Sequence, residues 1–202
     1  MIKHIYQDIQ GWFDFKTFYR RLAEEMPENF NFAEVGVWKG KSLSYFVISC
    51  TRVEKSGSIY AIDHWEGSKE HKDKKSPTYQ SILENEDSLF KEFLKNMEPI
   101  KSYITVIRKD SLNASMNFPD CFFDAVFIDA SHDYTSVSKD LNCWYNKIKI
   151  GGLLCGHDYT KESVKSAVNY FAAIKNLKLE ESLKSDERKH TNRNIWLLYR
   201  IN

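Results

Sequence analysis

The feature that most constrains this chain is a series of short apolar runs that recur along it with few polar interruptions. They are Phe32 to Val35, Ser58 to Asp63, Tyr103 to Ile107, Phe123 to Asp129 and Gly152 to Cys155. A strand with one face in water alternates apolar and polar residues, whereas a strand covered on both faces reads as a nearly continuous apolar run. Most of these runs are of the second kind. Between them lie helical patterns: Ser42 to Thr51 is apolar on most sides, and Leu89, Phe90, Phe93, Leu94 and Met97 recur at helical spacing. Strands alternating with helices predict an α/β fold, a doubly wound and mostly parallel sheet with helices on both faces. Near the end, 177–182 and 194–200 read as two more strands. The charged stretch between them leaves no room for a crossover helix, so they are expected to pair as an antiparallel hairpin.

A chain of 202 residues can bury one full core without disulfide staples, and a single domain over 1–202 is expected. Cys50, Cys121, Cys143 and Cys155 are scattered, with no Cys-x-x-Cys pair, and read as free thiols. Trp12, Phe15, Tyr19, Leu22 and Met26 predict an amphipathic helix over 12–26, ended by Pro27. Residues 66–102 form the least regular segment, charged and broken by Pro77 in its first part; they read either as a solvated loop followed by the ordinary crossover helix or as a lid over a site at the strand ends. With 29 basic and 28 acidic residues there is no bulk charge to recruit a polyanion or a membrane surface. The first residues are too polar for a signal peptide and no run is long enough to span a bilayer, so a soluble, cytoplasmic protein is expected.

Gly36 and Gly40 follow the first strand and precede the first helix, where a missing Cβ permits a sharp turn and close approach of a ligand. They do not form a dinucleotide fingerprint, because Trp38 stands at its middle glycine, nor a phosphate loop, because Val35 stands at its first. Acids say more. Glu34, Asp63, Asp110 and Asp129 fall at or just after successive strand ends, so they should line the carboxyl edge of one sheet, where open α/β sheets bind ligands. An acid after the second strand suits a ribose diol, and Glu34 near the glycine loop suits an ammonium group rather than a phosphate. A ribose at one end and a cationic amino acid at the other describe S-adenosylmethionine.

The stretches "AEVGVWKGKS", "IYAIDHW", "KDS" and "FDAVFIDASHDYTSVSKDLNCWYNKIKIGGLLCGHDY", in this order, resemble the motifs of class I S-adenosylmethionine-dependent methyltransferases. The resemblance is closest to the small-molecule or sugar O-methyltransferase branch whose fourth strand ends Ile-Asp-x-x-His, and it runs from about residue 31 to 159. It implies a seven-stranded sheet with a reversed last strand. It also implies that Glu34, Gly36 and Gly40 surround the methionine part, with Ser42 on the cofactor too. Asp63 would hold the ribose, with His64 and Trp65 beside the adenosine and Asp110 and Ser111 at the adenine edge. Asp129 counts both as a cofactor residue and, with His132, as a catalytic one.

Methyl transfer needs mainly an in-line approach to the sulfonium, to which a protein can add a base or a metal that lowers a hydroxyl's pKa. His132 suits the base, since imidazole titrates near neutrality. Metal-dependent catechol-type relatives carry acids at the positions of Asp129 and Asp158, so Asp129, His157 and Asp158 are candidate Mg²⁺ ligands, although imidazole is a poor ligand for so hard an ion. The acceptor is expected to be a small molecule with a hydroxyl, not nucleic acid, since there is neither a basic stripe nor an Asn/Asp-Pro-Pro-aromatic motif. The competing classes are a cofactor-binding module without turnover and a nicotinamide-dependent reductase; the second lacks both the dinucleotide glycines and a Tyr-x-x-x-Lys pair.

Overall fold

The structure is a computed structural model that describes residues 5–67, 87–181 and 194–201. Seven strands, β1 (Phe30–Val35), β2 (Gly57–Asp63), β3 (Ile104–Arg108), β4 (Phe123–Ile128), β5 (Ile148–Gly156), β6 (Leu179–Glu181) and β7 (Trp196–Tyr199), form one sheet in the order β3-β2-β1-β4-β5-β7-β6. The first five pair in parallel, and β7 runs antiparallel to both β5 and β6. This is the expected doubly wound sheet with its terminal hairpin and reversed last strand.

The apolar runs are explained by two cores. Phe30, Phe32, Ile59, Ala61, Ala125 and Phe127 pack on one face beneath helices α1 (Lys16–Glu25), α2 (Lys41–Arg52) and α3 (Ser88–Met97). Their neighbours Ala33, Val35, Ile62, Val126 and Ile128 pack on the other, beneath α5 (Tyr134–Tyr145) and α6 (Glu162–Ile174), which follow the short α4 (Ser111–Ser115). Successive strand residues point to opposite faces, so burial on both sides demands that both sets be apolar.

Three expectations change in detail. The first helix begins at Lys16 rather than residue 12; Trp12 is 74% exposed, and Asp14, ahead of the helix, is hydrogen-bonded to His157. Gly151 and Gly152 lie inside β5, which begins at Ile148 rather than at Gly152. Phe123 faces Ile148 while Ala125 faces Leu153, so the glycines sit in a bulge, where a Cβ on Gly152 would meet the Asp124 carbonyl. Within the loop or lid of 66–102, α3 and a following 3-10 turn (Glu98–Tyr103) are ordinary packed elements, while residues 68–86 lie outside the described residues.

Candidate active site

Strand order reverses about β1 and β4, and ligands of open α/β sheets bind in the crevice at such a switch point. A cavity of about 1030 Å³ lies there. Its walls come from the loops that leave β1 to β5, from residues 10–14, and from Asn194 beside β7. The β1 loop is tight because Gly36, at φ 89°, lies against the Asp129 carbonyl, so that an added Cβ would collide with backbone.

One end is built from β2, β3 and α5. Both oxygens of Asp63 accept backbone N–H groups, of Trp38 at 2.9 Å and of Trp65 at 2.7 Å. Each oxygen keeps a lone pair, so the carboxylate can still accept two ligand hydroxyls. The Glu66 amide donates to His64 Nδ1 at 2.8 Å, and both His64 and Asp63 line the cavity. Asp110 caps α4, with Oδ1 taking the Asn113 amide and Oδ2 its side chain; these bonds hold its carboxyl below the usual range. Ser111 accepts the Trp144 indole N–H at 2.8 Å.

At the other end carboxylates and imidazoles converge from β4, β5 and the N-terminal segment. His132 Nε2 lies 2.8 Å from Asp158 Oδ2, and the Lys161 ammonium lies 2.8 Å from His132 Nδ1. A lysine can only donate, so Nδ1 accepts, and the proton sits on Nε2, donated to Asp158. His157 Nε2 meets Asp14 at 2.9 Å, while its Nδ1 lies 3.5 Å from Asp158 and 3.8 Å from Asp129. Burial works against its charge, but the carboxylates of Asp129, Asp14 and Asp158 raise it to about 10, making it an imidazolium at neutral pH. Burial likewise opposes the charge of Asp158, yet hydrogen bonds from His132 and His157 hold its carboxyl well below the usual range. Asp129 is pushed upward by burial, with the His157 charge opposing.

Of the expected residues, Gly36, Ser42, Asp63, His64, Asp110, Ser111, Asp129, His132, His157 and Asp158 all reach the cavity wall. Three do not. Glu34 shares the face of Phe30 and Phe32, so its side chain enters the core, where it accepts the Tyr19 hydroxyl at 2.8 Å and the Ser42 hydroxyl at 2.5 Å. Burial pushes it up to about 8 despite those bonds. It therefore braces the loop from below. Trp65, at φ 54°, turns back into the core, donates its indole N–H to the Trp38 carbonyl and packs on Phe93 with ring centroids 4.5 Å apart. Gly40 lies against the Met97 side chain rather than on the cavity.

The expected Mg²⁺ set also changes. Among the described residues, Asp129, His132 and Asp158 bring ligand atoms within 4.8 Å of one another, with His157 outside the group. This set fits Mg²⁺ poorly. Imidazole is a soft partner for it, and the His157 imidazolium together with the Lys161 ammonium, 3.5 Å from Asp158, already compensates the carboxylates.

Further cavity residues escaped the sequence reading, among them Asp14, Asp140, Lys161 and Asn194. Asp140 alone left a readable trace, as an acid inside the stripe Val137, Leu141, Trp144. Asp14 lies 143 positions from its partner His157, and no local pattern records such a pairing.

The sequence profile of the methyltransferase-domain family matches residues 33–159. No curated protein sequence matches the chain. Among solved structures, the O-methyltransferase NovP superposes with a TM-score of 0.64 at 16% identity, over 94% of this chain and 80% of that one. An rRNA methylase from Streptococcus thermophilus gives 0.62 at 10% identity, over 96% and 99% of the two chains. The S-adenosylmethionine-dependent O-methyltransferase TM0748 from Thermotoga maritima gives 0.58 at 13%, over 100% and 73%. At these identities the structural likeness concerns the fold.

Proposed function

Because this chain belongs to the methyltransferase-domain family and is an S-adenosylmethionine-dependent methyltransferase, we propose that its acceptor is a hydroxyl of a small molecule or sugar. The observation that carries this reading is His132, whose Nε2–H is held by Asp158 and whose Nδ1 accepts a donor at 2.8 Å inside the cavity. A hydroxyl must shed a proton as its oxygen is alkylated, and a fixed imidazole with an unprotonated ring nitrogen is suited to take it. The Lys161 ammonium occupies the donor position that the acceptor hydroxyl would take.

The adenosine lies at the Asp63, Asp110 and Ser111 end, with the ribose diol on Asp63, and the reacting methyl faces the His132 end. Support comes from the two free lone pairs of Asp63 and from a cavity long enough to join both ends. When bound, S-adenosylmethionine supplies a methyl group on a sulfonium and leaves as a neutral thioether. His132 Nδ1 receives the hydroxyl proton, and the Asp158 carboxylate steadies the imidazolium that results, as a carboxylate does behind a catalytic histidine elsewhere. Asp129, beside His157, keeps the wall around the reacting atoms polar. Mg²⁺ has no part in this scheme.

The test incubates the protein and radiolabelled S-adenosylmethionine with a panel of catechols, phenols and methyl glycosides, with simple amines and ribosomal RNA as comparators. Label on an oxygen of a small acceptor is expected. Transfer confined to amines or RNA overturns the acceptor reading.

A further inference from the structure

Lys161 has no chemical step in the scheme above, yet its ammonium lies among the groups that hold the proton. Its Nζ is 2.8 Å from His132 Nδ1 and 3.5 Å from Asp158 Oδ2, and the residue lines the cavity. The backbone fixes this position. Lys161 caps the start of α6, its own N–H donates to the Asp158 carbonyl at 2.9 Å, and Ser163 donates its hydroxyl to the His132 carbonyl at 2.6 Å. The root of the lysine is thus tied to both loops that carry the proton-holding groups. Two other cations of the cavity wall are directed elsewhere: His157 meets Asp14 at 2.9 Å, and the Lys109 ammonium donates to Asn117 at 3.1 Å. Asp129, His132 and Asp158 bring ligand atoms within 4.8 Å of one another, a grouping suited to a cation, and the ammonium of Lys161 stands against two of the three.

We propose that Lys161 is a catalytic residue whose ammonium does for the acceptor hydroxyl what a divalent cation would do, donating to its oxygen and stabilising the negative charge that develops as the proton leaves. The inference rests on the reading that a hydroxyl acceptor binds at the His132 end. An ammonium carries three N–H groups, so when the hydroxyl takes His132 Nδ1, Lys161 can keep Asp158 and turn another N–H to the acceptor oxygen. A hydrogen bond from an ionised donor is stronger than a neutral one, and it strengthens as charge gathers on the oxygen. The step balances. The hydroxyl proton passes to His132 Nδ1, an oxygen lone pair forms the new O–C bond, the C–S bond breaks with its electron pair left on sulfur, and Lys161 keeps its protons throughout.

The test compares the wild-type chain with Lys161→Met on phenol, which is neutral in the assay, and on 4-nitrophenol, which is largely ionised there, each with radiolabelled S-adenosylmethionine. On phenol, Lys161→Met should lower kcat by about 10²- to 10³-fold. On 4-nitrophenol the charge is present before the reaction begins, so kcat should stay within about threefold while KM rises. A residue that merely supported the wall would lower kcat on both phenols alike; equal losses, or no loss on phenol, overturn the inference. A second readout needs no turnover. With the ammonium gone, Asp129, His132 and Asp158 should take up a divalent cation. Mn²⁺ followed by electron paramagnetic resonance should bind Lys161→Met at least about tenfold more tightly than the wild type, and the gain should vanish when Asp158→Asn is added. Equal Mn²⁺ affinities in wild type and Lys161→Met overturn the inference. If the wild-type chain methylates amines but no hydroxyl, the acceptor reading fails instead, and the Mn²⁺ comparison alone decides whether Lys161 holds the cation position.

Discussion

The two ends of the cavity use the same residue type in opposite ways. At the β2, β3 and α5 end, Asp63 and Asp110 are satisfied by neutral donors: backbone amides and an asparagine. At the β4 and β5 end, Asp14 and Asp158 are satisfied by imidazoles and an ammonium. The consequence is visible where burial is deep. Burial leaves Asp140, with no charged partner strong enough to offset it, pushed up to about 7, whereas the charged surroundings of Asp158 overcome its burial. A neutral donor gives direction without a mobile proton, which suits recognition. Partners that carry protons make an end where a proton can be held or moved.

Turnover should separate the ends most sharply. His132→Ala is expected to lower kcat by about 10²- to 10⁴-fold on a hydroxyl acceptor while the Kd for S-adenosylhomocysteine stays within about twofold; equal losses in both would erase the distinction. Asp63→Ala should do the reverse, weakening S-adenosylhomocysteine by about 10- to 100-fold in calorimetry through lost charge-assisted hydrogen bonds. Stability against pH sharpens the contrast between neutral and charged partners. Glu34 has neutral hydrogen-bond donors, Tyr19 and Ser42, and a raised value of about 8. Below the unfolded value it contributes its full stability, and from there to about pH 8 the native state holds the proton that the unfolded chain releases. Stability therefore falls as pH rises through that window, with a slope of at most about 1.4 kcal/mol per pH unit for this group. Glu34→Gln should flatten that part of a denaturation-midpoint profile, and an unaltered slope would remove Glu34 as its source. The smallest effect concerns the metal: because cations of the chain already face the carboxylates, activity in EDTA and in millimolar Mg²⁺ should agree within about twofold, and strong dependence on Mg²⁺ would show that the His157 end accepts a metal after all.

Much of this was legible along the chain. The strands, their parallel order and the terminal hairpin follow from apolar runs and from the lengths between them, because a strand covered on both faces has little choice of residue. Acids at strand ends pointed to Asp63, Asp110 and Asp129, and the stretches just past the fourth and fifth strands to His132, His157 and Asp158, all of which line one cavity, since the carboxyl edge of such a sheet is a single place in space. Residues that lie off the cavity wall do so for separate local reasons. Glu34 is also at a strand end, but strand parity turns it under α1 and α2, where Tyr19 and Ser42 hold it. Trp65 is adjacent to His64, yet a positive φ folds it into the core.

The sequence by itself determined the architecture, the family and the edge of the sheet at which chemistry occurs, because these depend on periodicity and on residues close together in the chain. Only the tertiary structure decided which side chains face one another across the cavity: that Asp14 reaches His157, and that His157 becomes an imidazolium among carboxylates. Charge state and hydrogen-bond direction depend on through-space distance and burial, and no spacing along one chain records either.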